Sequence, residues 1–189
     1  MKQFLLILTL VINCLLSPNY VSAQEKIMAE VFDVDQMLFN GKVKRYFTYS
    51  EFKKVFGEAD SVNLLTDIQP CSYIFENEDG SKDAGDSYLY KDGSTFEKSK
   101  EKVAVDEFRF SKDNYLLYKG KKLNGKTSLE DLKKLFPNAV KLMYDLKVYN
   151  EGILQVIQLR EDENNVSDGH IKIFVKDGYL YSMHWWFPC

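Results

Sequence analysis

"TYSEFKKVFGEAD" at 48–60 and "SLEDLKKLFPNAV" at 128–140 carry nearly the same message at an offset of 80 residues. Each opens on a hydroxyl followed three places later by a carboxylate, Thr48 with Glu51 and Ser128 with Asp131. That pairing satisfies the first free amides of a helix. Apolar residues then recur at Phe52, Val55, Phe56 and at Leu132, Leu135, Phe136, the spacing of a helix with one buried face. Gly57 and Pro137 stop both helices at the same point. A matching lead-in precedes each, "LFNGK" at 38–42 and "LYKGK" at 117–121. One unit used twice is the expected architecture.

After each helix the period changes to two. Val140, Leu142, Tyr144, Leu146 and Val148 alternate with polar positions, and apolar residues continue from Ile153 to Leu159. A last hairpin follows, "HIKIFVKDGYLYSMHWW" at 170–186. A three-residue loop Lys176-Asp177-Gly178 pairs Val175 with Tyr179, Ile173 with Tyr181 and Ile171 with Met183. In the first copy the equivalent hairpin is expected at 108–118. An insertion near 77–102 then separates helix from hairpin, and its Asp79-Gly80 and Asp92-Gly93 are turn signals. Parity is discordant between the copies: Phe108 and Phe110 point inward, whereas the aligned Phe174 points outward. The expected fold class is α+β, two tandem repeats, each a short helix on an antiparallel sheet of about four strands. Repeat 1 spans 24–118 and repeat 2 spans 119–189.

Residues 1–23 read as a secretory signal peptide: Lys2, an apolar run over 4–16, then small residues ending at Ala23. The run is too short for a membrane span of about 20 residues. Lipid attachment at Cys14 is the alternative, though Asn13 fits poorly before it. The expected location is periplasmic or extracellular, soluble after cleavage. Cleavage takes the net charge from -3 to -4, because Lys2 is the one charged residue removed. Without a basic stripe, nucleic-acid binding is not expected. Cys71 and Cys189 remain, and an even pair in an oxidising compartment is expected to close. Two unpaired buried thiols are the other reading.

A helix and about four antiparallel strands, twice, in an exported chain resembles the tandem fold of the β-lactamase inhibitor protein family and the SmpA-type envelope lipoproteins. The resemblance is one of pattern over nearly the whole mature chain, carried by the [ST]-x-x-[DE]-φ-K-K-φ-F segment. It departs from the inhibitor pattern, in which each domain opens with two short helices and closes its own disulfide. The resemblance implies the fold and a protein-binding role, and no individual residues.

Motifs for serine hydrolases, zinc proteases and phosphate loops are missing. His170 and His184, expected to face each other across the hairpin, could hold a metal with Asp168, but a chance cross-strand pair explains them as well. No metal and no cofactor is expected. Neither acidic loop has calcium-loop spacing. Twelve tyrosines and thirteen phenylalanines are more than two small cores need. With Trp185 in the core, alternation leaves Phe174, Leu180, His184 and Trp186 on the open sheet face, the usual material of a protein-binding hot spot. The expected function is a non-catalytic protein-binding module of inhibitor, immunity or envelope-assembly type. The alternative is an exported hydrolase whose catalytic carboxylates the sequence does not single out.

Overall fold

The capped helices at 48 and 128 hang from the turns of two hairpins, and the rest of the chain is arranged around them. A computed structural model describes residues 27–164 and 166–188; residues 1–23, with Cys14 and the expected leader, and Cys189 lie outside them. In chain order the described elements begin with a 3-10 turn Val34–Gln36, β1 Met37–Phe39, β2 Tyr46–Thr48 and α1 Tyr49–Phe56. Next come β3 Ser61–Leu64, α2 Leu65–Ile68, β4 Ser87–Lys91, β5 Ser94–Ser99 and β6 Lys102–Arg109. Then β7 Leu116–Tyr118, β8 Lys121–Leu123, α3 Leu129–Leu135, α4 Pro137–Lys141, β9 Tyr144–Val148, β10 Gly152–Arg160, β11 His170–Lys176 and β12 Tyr179–Trp186 follow. The class is α+β with a large antiparallel sheet and four short α-helices among the described residues.

Local chemistry places both helices. Thr48 Oγ1 accepts from the Glu51 amide at 3.2 Å, and the Glu51 carboxylate accepts from the Thr48 amide at 2.8 Å. Ser128 Oγ likewise accepts from the Asp131 amide at 3.2 Å. The helix starts are tied to hairpin turns, Tyr49 N to Glu101 O and Leu129 N to Gly178 O, each at 2.9 Å. α1 ends at Gly57, whose φ of 85 needs a residue without a Cβ. α3 ends differently: Pro137 forbids continuation and opens α4 at its first position. The Glu30 carboxylate accepts from the Asn138 and Ala139 amides, both at 2.8 Å, which caps α4. Val140 and Leu142, expected in a strand, therefore belong to this helix and its end, and the strand starts only at Tyr144.

The large sheet runs β3-β4-β5-β6-β12-β11-β10-β9, with β2 beside the start of β6. Four strands from the first half of the chain meet four from the second at the β6–β12 seam. β1, β7 and β8 form a second, small sheet. Phe52, Phe56, Leu132 and Phe136 enter one core with Met37, Phe39 and Tyr118 of the small sheet. Val103, Val105, Phe108, Ile171, Ile173, Met183 and Trp185 of the large sheet close it from below. Each such side chain contributes roughly 1.5–3 kcal/mol of apolar burial.

Four expectations are corrected. Residues 108–118 are not a hairpin: β6 ends at Arg109 and Leu116–Tyr118 pairs with β1 in the small sheet. The hairpin that β6 does form is with β5, turning at Lys100-Glu101. Within the stretch near 77–102, residues 87–99 are not a peripheral insertion, because β4 and β5 lie inside the large sheet with Leu89 and Phe96 in the core. Cys71, expected to start a strand, lies between α2 and β4.

The fourth concerns the last hairpin. Its loop has two residues, Asp177 and Gly178, with φ of 52 and 80, the left-handed pair of a type I′ turn. Val175 faces Leu180, Ile173 faces Met183 and Ile171 faces Trp185. A two-residue turn alone would have mixed the faces. A bulge at Tyr181 absorbs one residue, so Leu180 before it and Met183 after it both reach the core.

Candidate functional site

Alternation along the corrected register sets the sheet face opposite the helices. β11 presents His170, Lys172 and Phe174 there, β12 presents Ser182, His184 and Trp186, and β6 presents Glu107 and Arg109. The cross-strand partners are His170 with Trp186, Lys172 with His184, Phe174 with Ser182, and His184 with Glu107. His170 thus opposes Trp186, not His184, and the expected imidazole pair is not formed.

Of the four expected binding residues, His184 and Trp186 are half-buried on this face. Phe174 is on it too, but only 7% exposed, packed with Leu154 and Val156 in a small second cluster. Leu180 is on the other side, 3% exposed within the main core. The bulge is the reason: it displaces Leu180 from the parity that the three-residue loop implied.

The geometry around Trp186 is dense. The His170 and Trp186 rings are nearly parallel, 11° apart, with centroids at 6.0 Å. Lys172 Nζ stands 3.5 Å from the centroid of the Trp186 ring, and burial pulls its pKa down. His184 Nε2 meets Asp106 Oδ1 at 3.3 Å, with His184 30% and Asp106 20% exposed. Asp106 owes its place to a second bulge: Phe96 pairs with Val105 and Thr95 with Glu107, which leaves Asp106 unpaired between them. Bulges commonly re-aim one side chain in this way.

Two depressions flank His184. One, of about 120 Å³, lies over Arg109, Glu151, Phe174 and Tyr181. There Glu151 accepts from Arg109 Nη2 at 2.9 Å, from Lys176 Nζ at 3.1 Å and from the Tyr181 hydroxyl. The Tyr181 hydroxyl first, then Arg109 and Lys176, hold the Glu151 carboxyl down at about 2. Its contribution to stability is present above the usual carboxylate range and fades only as pH falls toward that value. A carboxylate so fully tied is a brace between β6, β12 and the β9–β10 turn, and a poor proton donor.

The other depression, of about 250 Å³, lies between residues 70–72 and the end of β12, with Tyr88, Asp106, Trp186 and Phe187 in its wall. Beyond it the segment 69–86 crosses the same face of the first half. Glu97, fully buried, accepts from the Ile74 amide at 2.9 Å and the Phe75 amide at 2.8 Å and so fastens that segment down. Burial pushes its carboxyl up, and the two amides pull against this.

Asp106, Lys172, Arg109, Glu151 and Glu97 were not reached by sequence reasoning. A signal existed for Asp106: inward parity is odd at Val103 and Val105 but even at Phe108 and Phe110, so a bulge must lie between. No group of three His, Cys, Asp or Glu suited to a metal occurs among the described residues. No helix among them is long and apolar enough to cross a membrane. Comparison with family models, with curated proteins and with solved structures gives no match.

Proposed function

We propose that this chain is an exported, non-catalytic protein-binding module that presents the sheet face around Trp186 and His184 to another protein. The supporting observation is the grouping on that face: two half-buried aromatic rings, His184 and Trp186, on the central strand β12, between two shallow depressions and beside a charged brace. Aromatic side chains held on a rigid sheet bury large area at low entropic cost, the property of binding hot spots. Inhibitor, immunity and envelope-assembly roles all fit this reading, as does the resemblance to the β-lactamase inhibitor protein and SmpA-type proteins. Export from the leader at 1–23 belongs to the same proposal.

The duplication belongs to it as well. In support, four strands from each half meet at the β6–β12 seam and each capped helix hangs from its own hairpin turn. The two lead-ins pair with each other, Met37 with Tyr118, Leu38 with Leu117 and Phe39 with Leu116. At an offset of 79 residues Leu38 and Leu117 are equivalent, and the flanking pairs exchange into one another, as around a twofold axis. The covalent partner proposed for Cys71 is Cys189. Cys71 shares a depression with Phe187, two residues from the end of the chain. Non-reducing peptide mapping is expected to recover 71 and 189 in one linked peptide; a Cys71 peptide linked elsewhere overturns the pairing.

The function is tested by capture from the native envelope fraction with wild type and with Trp186→Ala. Truncation of a central aromatic costs about 2 kcal/mol or more at an interface, so at least about thirtyfold weaker capture is expected. The melting temperature should stay within a few degrees, because Trp186 lies outside both apolar clusters. Unchanged capture by a folded Trp186→Ala protein counts against the reading.

A further inference from the structure

We infer that the 250 Å³ depression beside Trp186 receives an arginine side chain of the partner protein. The inference rests on the protein-binding reading and adds the chemistry of the group received. Its walls are aromatic: Tyr88 from β4, Trp186 from β12 and Phe187 just beyond it. Its lining among the described residues holds one carboxylate, Asp106, met on one side by His184 Nε2 at 3.3 Å, and contains no lysine or arginine. Asp106 was placed there by the bulge in β6, out of the ladder and beside His184. The Tyr88 hydroxyl in the same wall is pushed up first by burial and then by Asp106 and Glu97.

Three kinds of occupant can be compared. An anionic group would meet Asp106 with no lysine or arginine in the wall to offset it. An apolar group would strip water from Asp106 and return no hydrogen bond, an uncompensated cost. A cation meets the carboxylate and the ring faces together, the combination by which aromatic cages hold ammonium and guanidinium groups. The Trp186 ring already carries one such contact within the chain, from Lys172 Nζ at 3.5 Å. Between the two basic side chains, guanidinium suits the site better. It is flat enough to lie along an indole or phenol ring, and its fork of donors can reach a carboxylate from the edge.

The test uses N-acetyl-arginine amide as the probe and N-acetyl-citrulline amide as its neutral isostere. Resonances of the Trp186 indole and His184 ring are followed by NMR on the full mature chain. Saturable shifts are expected with the arginine probe, with about tenfold weaker binding of the citrulline probe. Asp106→Asn, which preserves side-chain shape, is expected to lower arginine-probe affinity to the citrulline level while resonances elsewhere stay in place. Equal binding of the two probes by the wild-type chain overturns the inference without recourse to any variant. So does Asp106→Asn protein that binds the arginine probe as wild type does. The two readings separate in capture: if Trp186→Ala loses the partner and Asp106→Asn keeps it, the face stands and the arginine assignment falls. If Trp186→Ala keeps the partner, the protein-binding reading itself falls.

Discussion

Replacing Phe108 by alanine is expected to lower the free energy of unfolding by about 3–5 kcal/mol. Phe108 is fully buried at the seam of the large sheet, opposite Met183 of β12. Its ring lies 4.7 Å from Phe39 of the small sheet, 6.4 Å from Phe56 of α1 and 5.2 Å from Phe110. One truncation therefore opens a cavity where the small sheet, the first helix and both halves of the large sheet converge. Chemical denaturation followed by tryptophan fluorescence reads the effect, since Trp185 sits in the same core. The midpoint should fall with the slope unchanged, and both halves should unfold in one transition. As a control, Ile153→Ala at a side chain 72% exposed should shift stability by no more than about 0.5 kcal/mol. A Phe108→Ala protein as stable as that control would contradict the convergent core.

Glu97→Ala should cost about 3 kcal/mol, because it leaves two amides, at Ile74 and Phe75, without their acceptor. The loss is expected to be local first. Protease cleavage within 69–86 and hydrogen exchange at 74 and 75 should both accelerate before the core is affected. The pH dependence follows from burial, the leading influence on this carboxyl, which pushes its pKa up in the folded state. A raised folded pKa contributes stability that is present below the unfolded value and lost as pH rises through the folded one. Mild acidification should therefore tighten the crossing segment in wild type and leave Glu97→Ala unaffected. Faster exchange at 74 and 75 on acidification, after correction for intrinsic rates, would sink this account.

The capped helices were the most legible part of the sequence, because capping is local: Thr48, Glu51, Ser128 and Asp131 act within one turn. The last hairpin was legible in position but not in register. Its turn chemistry at Asp177-Gly178 and its apolar alternation disagreed by one residue, and the disagreement was itself the bulge at Tyr181. A three-residue loop satisfied alternation on one side only, and it misplaced Leu180. The first-half strands failed for a different reason. "LYKGK" served both as the end of a hairpin and as the lead-in to the second helix, and only tertiary pairing with β1 decides between them. Strands β4 and β5 sit beside Gly- and Asp-rich sequence that resembles a loop insertion. Their centrality comes from pairing with β3 and β6, which no local pattern announces. At the site, Trp186 and His184 followed from simple alternation, whereas Asp106 and Glu97 depend on a bulge and on a segment folded back across the sheet.

The seam between the two groups of strands also has a kinetic side. Within each half, neighbouring strands are mostly joined by tight turns, so their pairing closes loops of a few residues. The seam is another matter: Met183 meets Phe108 across 75 positions of chain, and Leu38 meets Leu117 across 79. Loop-closure entropy puts such contacts after the hairpins, and dependence on them slows folding relative to helical proteins of similar size. Each joint is also short, three residue pairs in either sheet. A half that has formed its own hairpins presents the same edge to a second chain, and raising the chain concentration during refolding is expected to favour exchanged pairs over intramolecular closure.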